Sequence, residues 1–440
     1  MSYKTRLYLS FATMAALLLI VGFAQSWSLA LAIMNLCLIS SVMVLGVNMQ
    51  WGYAGLFNAG VMGFAAMGGV AAVVVSAPPV QEAWQAGGSG IALAFTICAA
   101  TAIAVALVYK KLPLTGLSRY AAITGILILG FIFYRMNLDP AVDAIEAVEP
   151  AKTGYLGGLG LPILFSWAVG GLFAAGIAWV IGKVALGLRS DYFAIATLGI
   201  SEIIVAVLKN EDWMTRGVKN VNGLPRPVPY EIDVQQSPFY QDIAENLGMS
   251  VIEFSSLYIK LCYTALFLIV LLAIFYLAEK ALKAPWGRMM RAIRDNETAA
   301  NAMGKHVTGR HLQVFILGSA VIGIAGAMLT TIDGQFTPAS YQPLRFTFLI
   351  WVMVIVGGSG NNLGSIIGGF VIWFFWIEAE PIGLWMMNFI TSGMAEDNGL
   401  RLHLIESASH MRLIMMGLIL LLVLRFSARG ILPEQNRQSH

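Results

Sequence analysis

Ala284-Pro-Trp-Gly-Arg-Met-Met-Arg-Ala-Ile-Arg-Asp-Asn-Glu-Thr-Ala-Ala-Asn-Ala-Met-Gly304 is a polar island between apolar runs at 257–278 and 312–331. Each flanking run has the ~20 apolar residues that crossing a ~30 Å hydrocarbon core requires. The island therefore marks a turn of the chain at a membrane face. Pro285 and Gly287 stop the helix before it, since proline removes a donor and glycine weakens the turn. Arg288, Arg291 and Arg294 follow at i, i+3 and i+6, which puts three guanidinium groups on one helix face. Asp295 or Asn296 caps a second short turn, with Glu297 at its positive end and Gly304 as its stop. Ala299, Ala300, Ala302 and Met303 give that turn a narrow, smooth surface of the kind that enters a groove on another protein. The competing reading is a plain basic loop on the positive side of a membrane.

The rest of the chain supports the membrane reading. Of its 440 residues 58% are hydrophobic and only 12% charged, about half the charged share of a soluble domain. Further apolar runs lie at 7–25, 29–48, 53–75, 90–109, 120–136, 161–182, 192–208, 346–357, 364–378 and 411–426. The expected fold is an all-α polytopic membrane protein with 10 to 12 transmembrane or half-membrane helices. The runs at 192–208, 346–357 and 364–378 are short, and short glycine-interrupted runs signal broken or re-entrant helices. Lys4 and Arg6 precede the first run, which we read as an uncleaved first helix. Cys37, Cys98 and Cys262 lie far apart inside apolar runs and read as packing residues. The five histidines are scattered, so no metal site or other cofactor is expected.

Charge sets the orientation. With both termini cytoplasmic, 17 of the 27 Lys and Arg residues fall on inside segments, among them the seven from Lys280 to Arg310 and Arg425, Arg429 and Arg437 of a tail at 427–440. The outside loop 209–255 carries seven carboxylates against four cations, and the loop after Met136 adds Asp139, Asp143, Glu146 and Glu149. This is the distribution the positive-inside rule describes. A stretch from Glu378 to His410 mixes Trp385, Met386, Met387 and Phe389 with charges and reads as an interfacial piece.

Four stretches bear on chemistry. Gly176-Ile-Ala-Trp-Val-Ile-Gly-Lys-Val184 fails as a phosphate loop, with one residue too many between its glycines and Val where Ser or Thr would hold magnesium. ATP-driven work would have to come from another subunit. Asn48 to Gly63 is rich in glycine, with Asn48, Gln50 and Asn58 interspersed and Gly60 beside them. It is either a close helix packing or a polar path. Ser190-Asp-Tyr-Phe-Ala-Ile-Ala-Thr-Leu-Gly-Ile-Ser-Glu202 puts Thr197 and Ser201 on one face and Glu202 deep in a span. An intramembrane carboxylate is a candidate functional group; the alternative is a structural hydrogen bond to a neighbouring helix. Gly357 to Gly369 breaks the penultimate apolar region with a Gly-Ser-Gly-Asn-Asn turn.

Gly52–Gly69, Ser190–Glu202 with Asn222-Gly-Leu-Pro225, Pro285–Gly304 and Val356–Gly369 together resemble the permease subunits of branched-chain amino-acid (LivM-type) ABC transporters. The resemblance implies that Arg294, Glu297, Ala299, Ala300 and Gly304 couple to an ATPase, in the manner of the E-A-A-x-x-x-G pattern of importer permeases. Here Thr298 stands where that pattern has Glu. It also implies a translocation path near Asn58, Gly60, Thr197, Ser201 and Glu202, a bacterial inner-membrane location, and four kinds of partner. These are a second permease subunit (LivH-type), two cytoplasmic ATPase subunits, a periplasmic solute-binding protein and the lipid bilayer; no nucleic acid is implied. Asn58 and Val61 depart from the Ser and His of many relatives. Relatives carrying urea or short amides therefore stay open, as does an ion-coupled secondary transporter that uses Glu202.

Overall fold

The computed structural model describes residues 2–111, 116–150, 152–395 and 398–434. Among the described residues the regular structure is helical, apart from one two-residue pairing of strands and an isolated bridge between Pro79 and Gly157. In chain order the main helices are α1 (Tyr3–Ala24), α2 (Trp27–Gln50), α3 (Val61–Ser76), α4 (Gln81–Lys111), α5 (Leu117–Glu146), α6 (Leu164–Ala185) and α7 (Ser190–Asn210). There follow α8 (Val251–Lys283), α9 (Pro285–Asp295), α10 (Glu297–Ala302), α11 (Val307–Asp333), α12 (Pro343–Gly357), α13 (Asn362–Ile390), α14 (Gly399–Glu406) and α15 (Met411–Phe426). Among the described residues, ten helices are long and apolar enough to cross a membrane, α14 and α15 counting as one; α3 and α12 are shorter apolar helices. The chain is thus an all-α, multi-pass membrane protein.

Two of the three short runs are longer than hydropathy suggested. The run at 192–208 is part of the 21-residue α7, and that at 364–378 is part of the 29-residue α13. Helix α13 continues through Glu378, Glu380 and Pro381, and both carboxylates find partners on other helices or turns. Gln25 Nε2 donates to Glu378 Oε2 at 2.8 Å, and Arg412 pairs with Glu380. Trp385, Met386, Met387 and Phe389 therefore lie on this continuing span, where an interfacial piece was expected.

The core is built around α11, which packs on α2, α3 and α6, while α13 packs on α2 and α12. Small residues set close crossings: a Cβ on Gly68 of α3 would lie 1.9 Å from Gly323 O of α11. Without a hydrophobic driving force between helices in lipid, such close packing is what holds them. Helices α4 and α5 pair with each other and meet the body through a small cluster with Leu156 and Trp213. Cys37 is buried, but Cys98 faces outward from α4.

The loop 209–253 folds over the body. Val221–Asn222 (β1) pairs antiparallel with Gln335–Phe336 (β2), and short helices follow at Glu231–Gln236 and Pro238–Asn246. Tyr3, Arg288, Arg291 and Glu434 line one cavity. The start of α1, the polar island and the end of the described tail thus meet at one cavity. Arg437 lies outside the described residues.

Candidate functional site

The island folds as its residues indicate. Helix α8 ends at Lys283, Pro285 takes the first position of α9, and Asn296 caps α10, its Oδ1 accepting from Ala299 N at 2.9 Å. Gly304 closes the unit at φ +75°, a left-handed conformation with no Cβ penalty. Glu297, Ala299 and Gly304 are exposed, and Met303 is 80% exposed. Ala300 is different: at 9% exposure it faces the body and belongs to the core. Helix α10 thus has a seated side at Ala300 and a free side at Ala299 and Met303.

Arg294 ties this unit to the rest. Its Nη1 donates to Gly52 O and pairs with Glu434 Oε2 at 3.0 Å, while Nε meets Asp295 Oδ1 at 3.0 Å. Burial works against the guanidinium charge, and the Glu434 and Asp295 carboxylates outweigh it, holding Arg294 above its ordinary range. Gly52 lies in a non-helical stretch, 51–60, between α2 and α3. Every polar group named from that stretch is used. Asn58 Nδ2 donates to Gln50 Oε1 at 2.9 Å, and Asn58 Oδ1 accepts from Gly60 N at 2.9 Å. Gln50 Nε2 donates to Phe315 O and Ser319 Oγ, both at 3.1 Å, and Trp351 Nε1 donates to Asn58 O at 2.9 Å. Unpaired backbone groups in a membrane cost several kcal/mol each, roughly, and these bonds remove that cost.

The same stretch touches α7. Ala59 N donates to Thr197 Oγ1 at 3.1 Å, and Thr197 Oγ1 donates to Ala194 O at 2.9 Å. A Cβ on Gly60 would lie 2.4 Å from Thr197 O, and one on Gly63 2.8 Å from Ser201 Oγ. Thr197 and Ser201 are buried at this contact, and among the described residues Ser201 Oγ has no hydrogen-bond partner. Glu202 is not beside them. Successive residues of a helix are ~100° apart, and Glu202 lies exposed on the outer face with Ile195, Gly199, Ile203 and Ala206. It sits twelve residues from the Ser190 end of α7, roughly 18 Å along the axis. Asn58, Gly60, Thr197 and Ser201 thus form one stitched contact, and Glu202 stands apart from it.

Sequence reasoning missed a second chain of amides. Asn48 Nδ2 donates to Asn362 Oδ1 at 2.9 Å, Asn362 Nδ2 donates to Glu279 Oε1 at 3.0 Å, and Glu279 Oε2 pairs with Lys283 at 3.1 Å. Gly360 N donates to Asn48 Oδ1 at 2.9 Å. These are single polar residues on three different helices, without a shared period to reveal them. Among the described residues no group of three or more His, Cys, Asp or Glu is placed to hold a metal ion.

The family described as branched-chain amino acid transport system / permease component matches residues 144–424. The match runs from the last residues of α5 into the last turn of α15 and leaves the 51–60 stretch, α4 and most of α5 outside it. The high-affinity branched-chain amino acid transport system permease protein LivM of Salmonella typhimurium is 29% identical over 255 residues, which is 57% of each chain. LivM of Escherichia coli is 27% identical over 264 residues, 58% of each chain. A probable branched-chain amino acid transport permease protein LivH of Methanocaldococcus jannaschii is 30% identical over 128 residues, 29% of this chain and 38% of that one. The alignments with the two bacterial LivM proteins therefore span somewhat over half of those proteins' own lengths. No solved structure matches the chain.

Proposed function

The chain belongs to the family of branched-chain amino acid transport permease components, and from that premise we propose that it is a transmembrane subunit of an ABC importer of the bacterial inner membrane. It forms, with a second permease subunit, the path for branched-chain or related amino acids. A periplasmic binding protein delivers the solute, and two separate ATPase subunits on the cytoplasmic side supply the energy. Helix α10 enters a groove of one ATPase with Glu297, Ala299 and Met303 outward.

The observation that carries this reading is the Arg294 junction. A partner pushing on α10 moves α9, and Arg294 passes that motion to Gly52 and so to the stretch held by Asn58, Gly60 and Thr197. Placing a photoreactive group at Ala299→Cys tests it. Illumination of membranes in which the transporter is assembled should join the chain to a nucleotide-binding subunit. Equal labelling from a site on the outer surface of α5 would reject the docking.

Glu202 favours a specific place for the second permease subunit. A carboxylate left facing lipid near mid-membrane costs about 2.5–3.5 kcal/mol on insertion scales. The outer face of α7 at Gly199, Glu202 and Ala206 is therefore the side the second subunit covers, with Glu202 bordering the path. The same residue supports the rival reading, a stand-alone ion-coupled transporter, and the two part on whether uptake needs ATP.

A further inference from the structure

A cavity of about 580 Å³ lies between the start of α1, the last turns of α8, α9 and the tail, on the face that carries the polar island. Its charges do not cancel. Lys283 is taken up by Glu279 at 3.1 Å and Arg294 by Glu434 at 3.0 Å, which accounts for both carboxylates of the cavity. Arg288 and Arg291 are left over. Arg288 Nη1 donates to Lys283 O at 3.1 Å and Arg291 Nη2 to Leu282 O at 3.2 Å, and among the described residues no carboxylate reaches either. Backbone carbonyls orient a guanidinium without neutralising it, so two forks with unused donors line the same hollow.

Apolar side chains share the lining. Phe275, Leu282 and Leu363 belong to it, and Tyr276, 62% exposed on the outer side of α8, carries Lys280 over its ring at 6.0 Å. A hollow lined both by uncompensated cations and by apolar side chains suits a molecule built the same way. We infer that this cavity binds the phosphate group of an anionic amphiphile, held by Arg288 and Arg291, with its hydrocarbon against Phe275, Tyr276 and Leu282. A phospholipid headgroup and a soluble phosphate share the recognised chemistry, and the apolar lining residues favour the lipid. Basic hollows between membrane helices are suited to such headgroups. The inference does not rest on the transport reading, because its readout is binding alone.

Native mass spectrometry of the purified full-length chain, stripped of lipid in a neutral detergent, tests it. Phosphatidylglycerol should form a saturable one-to-one adduct, and phosphatidylcholine a markedly weaker one. Arg288→Gln with Arg291→Gln should weaken phosphatidylglycerol about 25-fold, about fivefold for each basic side chain. Lys110→Gln with Lys111→Gln, at the end of α4, should change it by less than about twofold. Arg288→Glu, at an exposed position, should give a loss of about fivefold or more even if the double variant does not fold. Competition by inorganic phosphate alone would assign the site to a soluble anion. Equal affinity for both lipids, or equal losses in the two double variants, would overturn the proposal.

Discussion

Arg294, in the helix before α10, and Glu434, near the end of the described tail, meet at 3.0 Å, and the same guanidinium holds Gly52 O. Three parts of the chain far apart in sequence thus share one half-buried cation. Charged hydrogen bonds of this kind contribute about 1.5–3 kcal/mol each. Arg294→Ala should therefore destabilise the protein by about 2 kcal/mol and lower uptake sharply. Glu434→Gln, which still accepts a bond, should cost less than half of that. A double-mutant cycle on thermal unfolding checks the coupling; strictly additive losses would mean that the pair does no joint work.

Helix α10 distinguishes seat from docking face. Ala299→Trp adds bulk on the free side and should leave the protein folded in the membrane, while uptake falls at least about tenfold because the groove no longer accepts it. Ala300→Trp overfills a buried seat and should cost about 1–3 kcal/mol of stability besides. Folded yield and uptake measured together separate the two. A tryptophan at Ala299 that leaves uptake normal would remove α10 from the partner interface.

The contact between α3 and α7 admits no side chain at Gly60, where an added Cβ would meet Thr197 O at 2.4 Å. Gly60→Ala should destabilise by about 1–3 kcal/mol. Gly199→Ala, inside α7 with nothing within 4 Å of its Cβ, should stabilise the isolated chain by up to about 1 kcal/mol. If Gly199 faces the second permease subunit, the same change should weaken assembly. Thermal unfolding of the chain alone and of the complex checks both halves.

Sidedness follows from the charge distribution. A cysteine at Gln236 should react with an impermeant maleimide from outside intact cells, and one at Asn301 only after permeabilisation. The reverse pattern would invert the orientation and take the ATPase face with it.

Much of this architecture is readable from the residues, and the failures have physical causes. Pro285, Asn296 and Gly304 act locally, through ring geometry, a capping side chain and a left-handed turn, so the bounds of α9 and α10 are legible. Hydropathy stops short at Glu378 because it weighs a carboxylate as exposed, whereas Gln25, more than 350 residues away in sequence, supplies its bond. Thr197 and Ser201 are legible as one face by their spacing of four. That the face is turned inward, with Glu202 outward, depends on what α3 presents to it. The Gly52–Arg294–Glu434 junction has no local signature at all.

The central claim is that energy enters through α10 from a separate ATPase, with Glu202 as a polar group that does not carry protons through the cycle. The most direct measurement is uptake of a branched-chain amino acid by vesicles holding the assembled transporter, with ATP supplied on the cytoplasmic side and all ion gradients collapsed. Glu202→Gln keeps the shape and the hydrogen-bonding capacity of the side chain but cannot titrate. The account predicts accumulation that requires ATP and the binding protein, and that survives in Glu202→Gln within about threefold, a change of less than about 1 kcal/mol. Accumulation driven by a proton gradient without ATP, and abolished in Glu202→Gln, would contradict it.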